Sequence, residues 1–495
     1  MSRTTRKLRM RRTVGAAMVA VAVVGAAFAQ PDPQSHRSQI PDQPEVVVVQ
    51  NATIWTSGPE GILEGADMVV REGKIVRVGT DLNVPRGAVV IDGSDLHVTP
   101  GLIDAHSHTA ITGGLNEGSN IITAEVTIED VVDHDDANIY REVAGGTTAV
   151  NLLHGSANSI GGRNAVVKWR WGATADEMFF GAKPGIKFAL GENPKQSNWG
   201  NPGQRYPDTR SGVANSIRVA FEKALDYRAK KQAWEQASRT QPDLIPPKPD
   251  LQAERILEIL DGERLVHSHS YRADEILMLL RLAEEYDVTI ASFQHVLEGY
   301  KVADELAAHG AGASTFSDWW AFKYEVRDAI PWNGAIMHDR GVVVSFNSDD
   351  AELARRMNLE AAKAVRYGNV DPAEALKFVT LNPAIQLAVD DRIGSLERGK
   401  DADFVLWTGS PLSTASRVEQ TWIDGRKYFD REEDLAMRER LAEERRELLA
   451  AVLAESETEA EEESEAEEGE TPDTPDTPDT PDAAAWRAFL TGGAR

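Results

Sequence analysis

The sequence predicts an α/β protein, on three observations. About 290 residues in the middle of the chain alternate apolar strand-like runs with amphipathic helical stretches, the pattern of repeated β/α units. Short alternating strands flank this region on both sides, at 46–99 and again at 393–429. The polar residues of the central runs gather at or near their C-terminal ends.

The central runs are LIDAHSH, TTAVNLLHG, GIKFALGEN, ERLVHSHS, VTIASFQH and GVVVSFNSDD. Helices are expected at 213–236, 251–260, 272–286, 301–308, 351–367 and 372–378. That length suits a TIM (β/α)8 barrel, typically about 250 residues. A doubly wound sheet is the competing arrangement. The flanking text is VVVVQNATIWT, ADMVVREGKIVRVG and AVVIDGSDLHVTPG on one side. On the other it is IGSLERGKDADFVLWTG and VEQTWIDGRKYF. Gly, Asp and Asn turns separate these strands. They predict one small β-module built from both chain ends.

The remaining segments are simpler. Residues 1–29 read as a signal peptide: a basic start, an apolar run, then Ala27-Phe28-Ala29 before Gln30. The apolar run is short for a membrane span. The expectation is export to the periplasm or medium, with no membrane contact after cleavage; an uncleaved anchor is the alternative. Residues 30–44 form a linker, 45–99 and 391–430 the two parts of the β-module, and 100–390 the barrel. The stretch 431–454, with Glu and Arg interleaved, is expected as a C-terminal helix. Residues 455–495 are an acidic low-complexity tail, of which 455–482, ending in a TPD repeat, are expected to lack structure, and the last stretch, AAAWRAFLTGGAR, reads as a short helix.

Composition excludes several chemistries. The 495 residues include no cysteine, so thiolate metal sites, disulfides and cysteine nucleophiles are absent. Any metal must be held by His, Asp, Glu or a modified Lys. The net charge is −26, and the body stays acidic without the basic leader and the acidic tail. A nucleic-acid surface is therefore not expected.

His106 and His108 end the first run, and Lys187, His269, His295 and Asp349 occupy later ones. In a barrel those ends converge on one mouth, where catalytic residues collect. Two His at i and i+2 on a strand point to one side and can grip one ion. Singly, each His reads as a hydrogen-bonded structural residue. Their succession along the strands argues for a metal centre.

With these residues in view, the sequence resembles the amidohydrolase superfamily, in particular imidazolonepropionase-like amidohydrolases and related metal-dependent dipeptidases. The resemblance covers 45–430 and rests on TPGLIDAHSH, the GGTTAV junction, the strand-end residues and VTLNPAIQLAVDDRIGSLERGKDADFVLW. It implies a metal-dependent TIM barrel beside a composite β-sandwich. It makes His106 and His108 the first metal pair, and His269 and His295 the fifth- and sixth-strand ligands. Lys187 becomes a carboxylated lysine bridging two divalent ions, expected as zinc. Asp349 becomes both a ligand and the acceptor of the attacking water's proton. His267 competes with His269, Asp350 with Asp349, and Glu192 with Lys187.

His154, Tyr271 and Tyr300 are candidate substrate contacts, and His154 reads equally as a turn cap. Lys168, Trp169 and Arg170 in VVKWRWG read as core packing with solvated charges; a carboxylate-binding cluster is the alternative. The polar segment 192–212 reads as a lid or a surface excursion. The expected function is hydrolysis of a C–N bond in an amide, cyclic amide or dipeptide-like small molecule, with room for a homo-oligomer. A mononuclear-metal deaminase of a heterocycle and a non-catalytic binding module on the same barrel are the alternatives.

Overall fold

A computed structural model describes residues 39–195, 205–317 and 323–468. The chain divides after Asp430 into two units, each described by itself.

The first unit is mixed α/β. Five strands lie side by side and parallel: Gly185–Ala189, Leu265–Ser270, Ile290–His295, Gly312–Thr315 and Val344–Phe346. Nearly all their side chains are buried. Burial on both faces explains why they read as continuous runs rather than alternating ones. Leu102–Ser107 and Thr147–Leu152 form a second parallel pair.

One segment joins the two groups. Ile160–Arg163 runs antiparallel to Gly185–Ala189, and Ala165–Lys168 antiparallel to Thr147–Leu152. Asn164 alone separates them, donating its backbone N–H to Gly185 and its side-chain amide to Asn151. At the opposite side no described ladder joins Val344–Phe346 to Leu102–Ser107. The two are tied at their C-terminal ends instead. Asp104 accepts from the backbone N–H and the hydroxyl of Ser348, and the Asp349 N–H donates to the His106 carbonyl.

The strand Gly312–Thr315 has no counterpart among the runs read from the sequence. Its text, GAST, is too small and polar to register as an apolar run. Its hydroxyls are nonetheless buried and satisfied, Ser314 by Asn347 and Thr315 by Asn333.

Most expected helices are present with shifted ends. The helix at 213–236 begins earlier, as Arg210–Ser238, and buries Val213, Ile217, Ala220, Phe221 and Ala224 at helical spacing. The helix expected at 351–367 is two: Ala351–Ala354 and Met357–Gly368. The Thr147 hydroxyl donates to the Ala354 carbonyl at 2.8 Å. The backbone of Arg355 then lies against Gly145, where any Cβ would come within 2.3 Å of its carbonyl oxygen. That contact requires a glycine.

Segments from both sides of the central region meet in one eight-stranded sheet. Its order is Arg426–Asp430, Val418–Ile423, Phe404–Trp407, His97–Pro100, Val46–Trp55, Ile62–Arg71 and Lys74–Gly79, with Val89–Asp92 also paired to Val46–Trp55. Phe404–Trp407 lies antiparallel to His97–Pro100, so late and early text share one ladder. Lys168 reaches this sheet from Ala165–Lys168. Its amine contacts Asp401 at 2.7 Å, Asp403 at 2.9 Å and Asp424 at 2.6 Å, fully buried. Trp169 is core, as read, but the Lys168 charge is not solvated.

The second unit contains the helix Arg431–Glu468. It continues past 454, where the sequence reading ended it. Ala and Glu are strong helix formers, and the first proline follows only at Pro472. Among the described residues no helix is long and apolar enough to cross a membrane. The leader at 1–29, most of the linker, the middle of the 192–212 loop and the tail from 469 lie outside the described residues.

Candidate metal centre

Six side chains read from the sequence come from the strands or the residues just after them and gather in one place. His106 Nε2 lies 3.3 Å from His108 Nε2, 3.1 Å from Lys187 Nζ and 3.5 Å from Asp349 Oδ1. Asp349 Oδ1 lies 3.2 Å from His108 Nε2, and Asp349 Oδ2 lies 3.9 Å from His295 Nε2. Donor atoms of His106, His295 and Asp349 all fall within 4.8 Å of one another, a spacing that one ion can fill. The rings of His269 and His295 are 4.7 Å apart.

The hydrogen bonds fix the orientation of the imidazoles. His106 Nδ1 donates to Gln294 Oε1 at 3.2 Å, and His108 Nδ1 to the Leu153 carbonyl at 2.8 Å. Each leaves its Nε2 lone pair facing inward, as metal-ligating histidines require. His295 Nδ1 is buried without a partner among the described residues.

The electrostatics suit cation binding. Burial, then the Lys187 charge, holds His106 well below the ordinary imidazole range. Burial, then His295, does the same for His269. Burial takes His295 down to about 3. All three are therefore neutral at neutral pH, the ligand form. Burial, opposed by Asp349, pulls Lys187 down to about 7. Burial acts to raise Asp349, but the closeness of His108, His295 and Lys187 outweighs it, and its pKa is lowered.

Backbone strain concentrates here. His295, Val296 and Asp349 have φ of 67°, 41° and 47°, in the left-handed region. That region is costly for a β-branched residue such as Val296 and persists only where surroundings enforce it. For Asp349 the enforcement is Asp104, through Ser348. Asp104 is fully buried, and burial raises it to about 7.

The competing residues make other contacts. His267 lies two residues deeper than His269; its Nδ1 meets the Ser292 hydroxyl at 2.8 Å. Asp350 caps the helix Ala351–Ala354, accepting from the N–H groups of Glu352 and Leu353. Glu192 starts a short helix and pairs with Lys323 at 3.4 Å.

Of the candidate substrate contacts, Tyr271 packs edge-on against His269, with ring centroids 4.5 Å apart. His154 has both ring nitrogens committed, one to the Gly155 carbonyl and one to the Glu117 N–H, which is the turn-cap role. Tyr300 directs its hydroxyl to the Asp328 carbonyl.

Sequence reading missed Gln294, Ser292, Asp104, Asn193 and Lys323. Asn193 Nδ2 lies 3.4 Å from His269 Nε2, and Lys323 covers the Tyr271 ring at 4.3 Å. The available signal was position: Ser292 and Gln294 alternate with apolar residues beside His295, and Asp104 precedes His106 by two.

The Amidohydrolase family model matches residues 327–427, which contain Asp349. The amidohydrolase tasK of Hapsidospora irregularis is 30% identical over 429 residues, covering 77% of this chain and 43% of that protein. The chain thus spans less than half the length of that curated relative. The solved structure of an amidohydrolase from Thermotoga maritima MSB8 is 32% identical, with a TM-score of 0.71. That match covers 78% of this chain and 100% of the other. Identity at that level over a whole solved chain, with the family model falling on the Asp349 segment, places this chain in the amidohydrolase superfamily.

Proposed function

We propose that the protein is a metal-dependent hydrolase of carbon–nitrogen bonds. Its substrate class is an amide, a cyclic amide or a dipeptide-like small molecule. The observation that carries the reading is the convergence of His106, His108, Lys187, His295 and Asp349 donors within hydrogen-bonding to near-contact distances. His269 completes the set. When bound, a divalent ion at such a centre supplies a water of lowered pKa and polarises the scissile carbonyl.

The chain's own residues do the rest. Asp349, ionised and 24% exposed, accepts the proton of the attacking water and delivers it to the leaving nitrogen. In that exchange the water oxygen bonds to the carbonyl carbon and the C–N bond breaks. Lys187 serves as a ligand only after carboxylation: its neutral amine bonds to the carbon of CO2, one C=O bond becomes C–O⁻, and a proton leaves. A lysine lowered to about 7 has the neutral amine this needs. The carbamate would join two ions, with zinc suited to this donor set.

The wider reading is a (β/α)8 barrel, with the segment 160–168 in the third-strand place. The eight-stranded sheet is its composite β-sandwich partner. Export follows from the leader text; mass spectrometry of secreted protein starting at Gln30 checks it. The central test is elemental analysis and activity of the metal-reconstituted protein. Dipeptides, N-acyl amino acids, hydantoins, imidazolones and aminoheterocycles form the panel. Bound metal with C–N hydrolysis is expected; protein that takes up no divalent metal overturns the reading.

A further inference from the structure

Beneath the metal centre runs a chain of buried polar groups that ends on an unsatisfied donor. It begins at His106, whose Nδ1–H is accepted by Gln294 Oε1. The Gln294 amide nitrogen donates to Ser292 Oγ at 2.7 Å. Ser292 Oγ lies 2.8 Å from His267 Nδ1. His267 Nε2 is buried without a partner among the described residues.

Proton accounting settles the tautomer. Ser292 accepts from Gln294 and has one proton to give. If it gives that proton to His267 Nδ1, the imidazole proton sits on Nε2 and one buried group is unsatisfied. In the reverse arrangement both the Ser292 hydroxyl proton and His267 Nε2 are unsatisfied. Unsatisfied buried groups are costly, so the first arrangement prevails.

The orphaned Nε2–H has a specific neighbour. Lys187 and His267 are direct partners across two adjacent parallel strands, so their side chains leave the same face. His267 is fully buried, as is Lys187. A neutral amine offers a weak acceptor there. Carboxylation of Lys187 places an anionic oxygen beside it, which is a strong one.

We infer that His267 is a positioning residue for Lys187, its Nε2–H donating to an oxygen of the carbamate formed with CO2. The inference rests on the carboxylated reading of Lys187 given above. It gives the chain from His106 a purpose. The same Gln294 that orients a metal-binding imidazole also fixes, through Ser292, the proton that holds the modified lysine. His267 touches neither substrate nor the reacting atoms.

The test labels the full-length protein with 13C-bicarbonate at matched metal loading and follows the carbamate carbon by NMR. Wild type is expected to show one such signal. In His267→Leu the bicarbonate needed for half-maximal signal should rise about tenfold, the loss of one charge-assisted hydrogen bond. His267→Gln, which returns an N–H near the Nε2 position, should recover much of it. Ser292→Ala, which releases the tautomer, should weaken the signal less than His267→Leu. A 15N spectrum of wild-type His267 should show the proton on Nε2; this needs no variant to fold. No carbamate signal in wild type overturns the carboxylated reading and this inference with it. An unchanged bicarbonate requirement in His267→Leu overturns the inference alone. So does a proton on Nδ1. Loss of one bound ion with the carbamate retained would make His267 a ligand, and overturns it too.

Discussion

Among the described residues, Lys168 and Lys187 are fully buried and meet opposite surroundings. Lys168 faces Asp401, Asp403 and Asp424. Burial acts to lower its pKa, but the three carboxylates outweigh it and the net value is raised. Lys187 faces neutral imidazoles, with Asp349 the one carboxylate that opposes burial, and falls to about 7. Equal burial thus gives a fixed cation in one place and a titratable amine in the other. The partners, not the depth, decide the chemistry. Lys168 joins the central strands to the eight-stranded sheet; Lys187 lies against the His106 imidazole.

The largest effect that would sharpen this contrast is at the carboxylate beside Lys187. Asp349→Asn should lower kcat/KM by about 10²–10⁴-fold, the usual reach of a lost acid–base group, with the fold intact. Full activity in that variant would move proton transfer elsewhere.

The lysines themselves come next. Lys168→Met leaves the buried Asp403 without its amine, while Asp401 keeps Lys74 and Asp424 keeps Arg170, and should cost about 3–5 kcal/mol in urea unfolding, while activity per folded molecule persists. Lys187→Met should do the reverse, abolishing activity and metal binding with little stability loss in metal-free protein. Lys187→Arg should also be inactive, since a guanidinium keeps its charge and cannot be carboxylated. Equal stability losses for the two Met variants would break the comparison.

A smaller effect is the pH dependence of stability. Lys187 has a folded pKa near 7 and an ordinary value of 10.5. Between those values the unfolded chain holds a proton that the folded chain lacks, so stability rises with pH across the window. The gain is lost as pH falls through about 7. Lys168 has the opposite sign: its contribution is full below 10.5 and lost only as pH rises through its raised folded value. Urea midpoints of chelated wild type and Lys187→Met at pH 7 and pH 9 isolate the first term. Wild type should gain on the variant at pH 9; parallel midpoints would refute the lowered pKa.

How much of this was legible follows from the same two residues. Lys187 was readable because it interrupts an apolar run that belongs in a series of runs with polar ends. His106, His108, His269, His295 and Asp349 were readable for the same reason. Lys168 also interrupts an apolar run, but its three partners lie more than two hundred positions later, at Asp401, Asp403 and Asp424. No local pattern announces a contact of that span. The strand Gly312–Thr315 escaped because its burial is satisfied by hydrogen bonds rather than by apolar bulk. Gln294 and Ser292 escaped because their importance lies in which nitrogen they bind.

The smallest effect separates two adjacent aspartates. Asp349 and Asp350 differ by one position and point to different tasks. Asp349 sits at φ 47° with its carboxylate among the imidazoles. Asp350 is extended, at φ −160°, and its carboxylate accepts from the N–H groups of Glu352 and Leu353 at the start of Ala351–Ala354. A cap of this kind is worth about 1 kcal/mol. Asp350→Ala should therefore lower stability by that order and leave kcat within about twofold, since about 1 kcal/mol off a stable fold changes the folded fraction little. Asp350→Ser, another good cap, should restore the stability. Calorimetry and steady-state kinetics on both variants decide the matter. A drop in kcat comparable to that of Asp349→Asn would place the proton transfer on Asp350 instead.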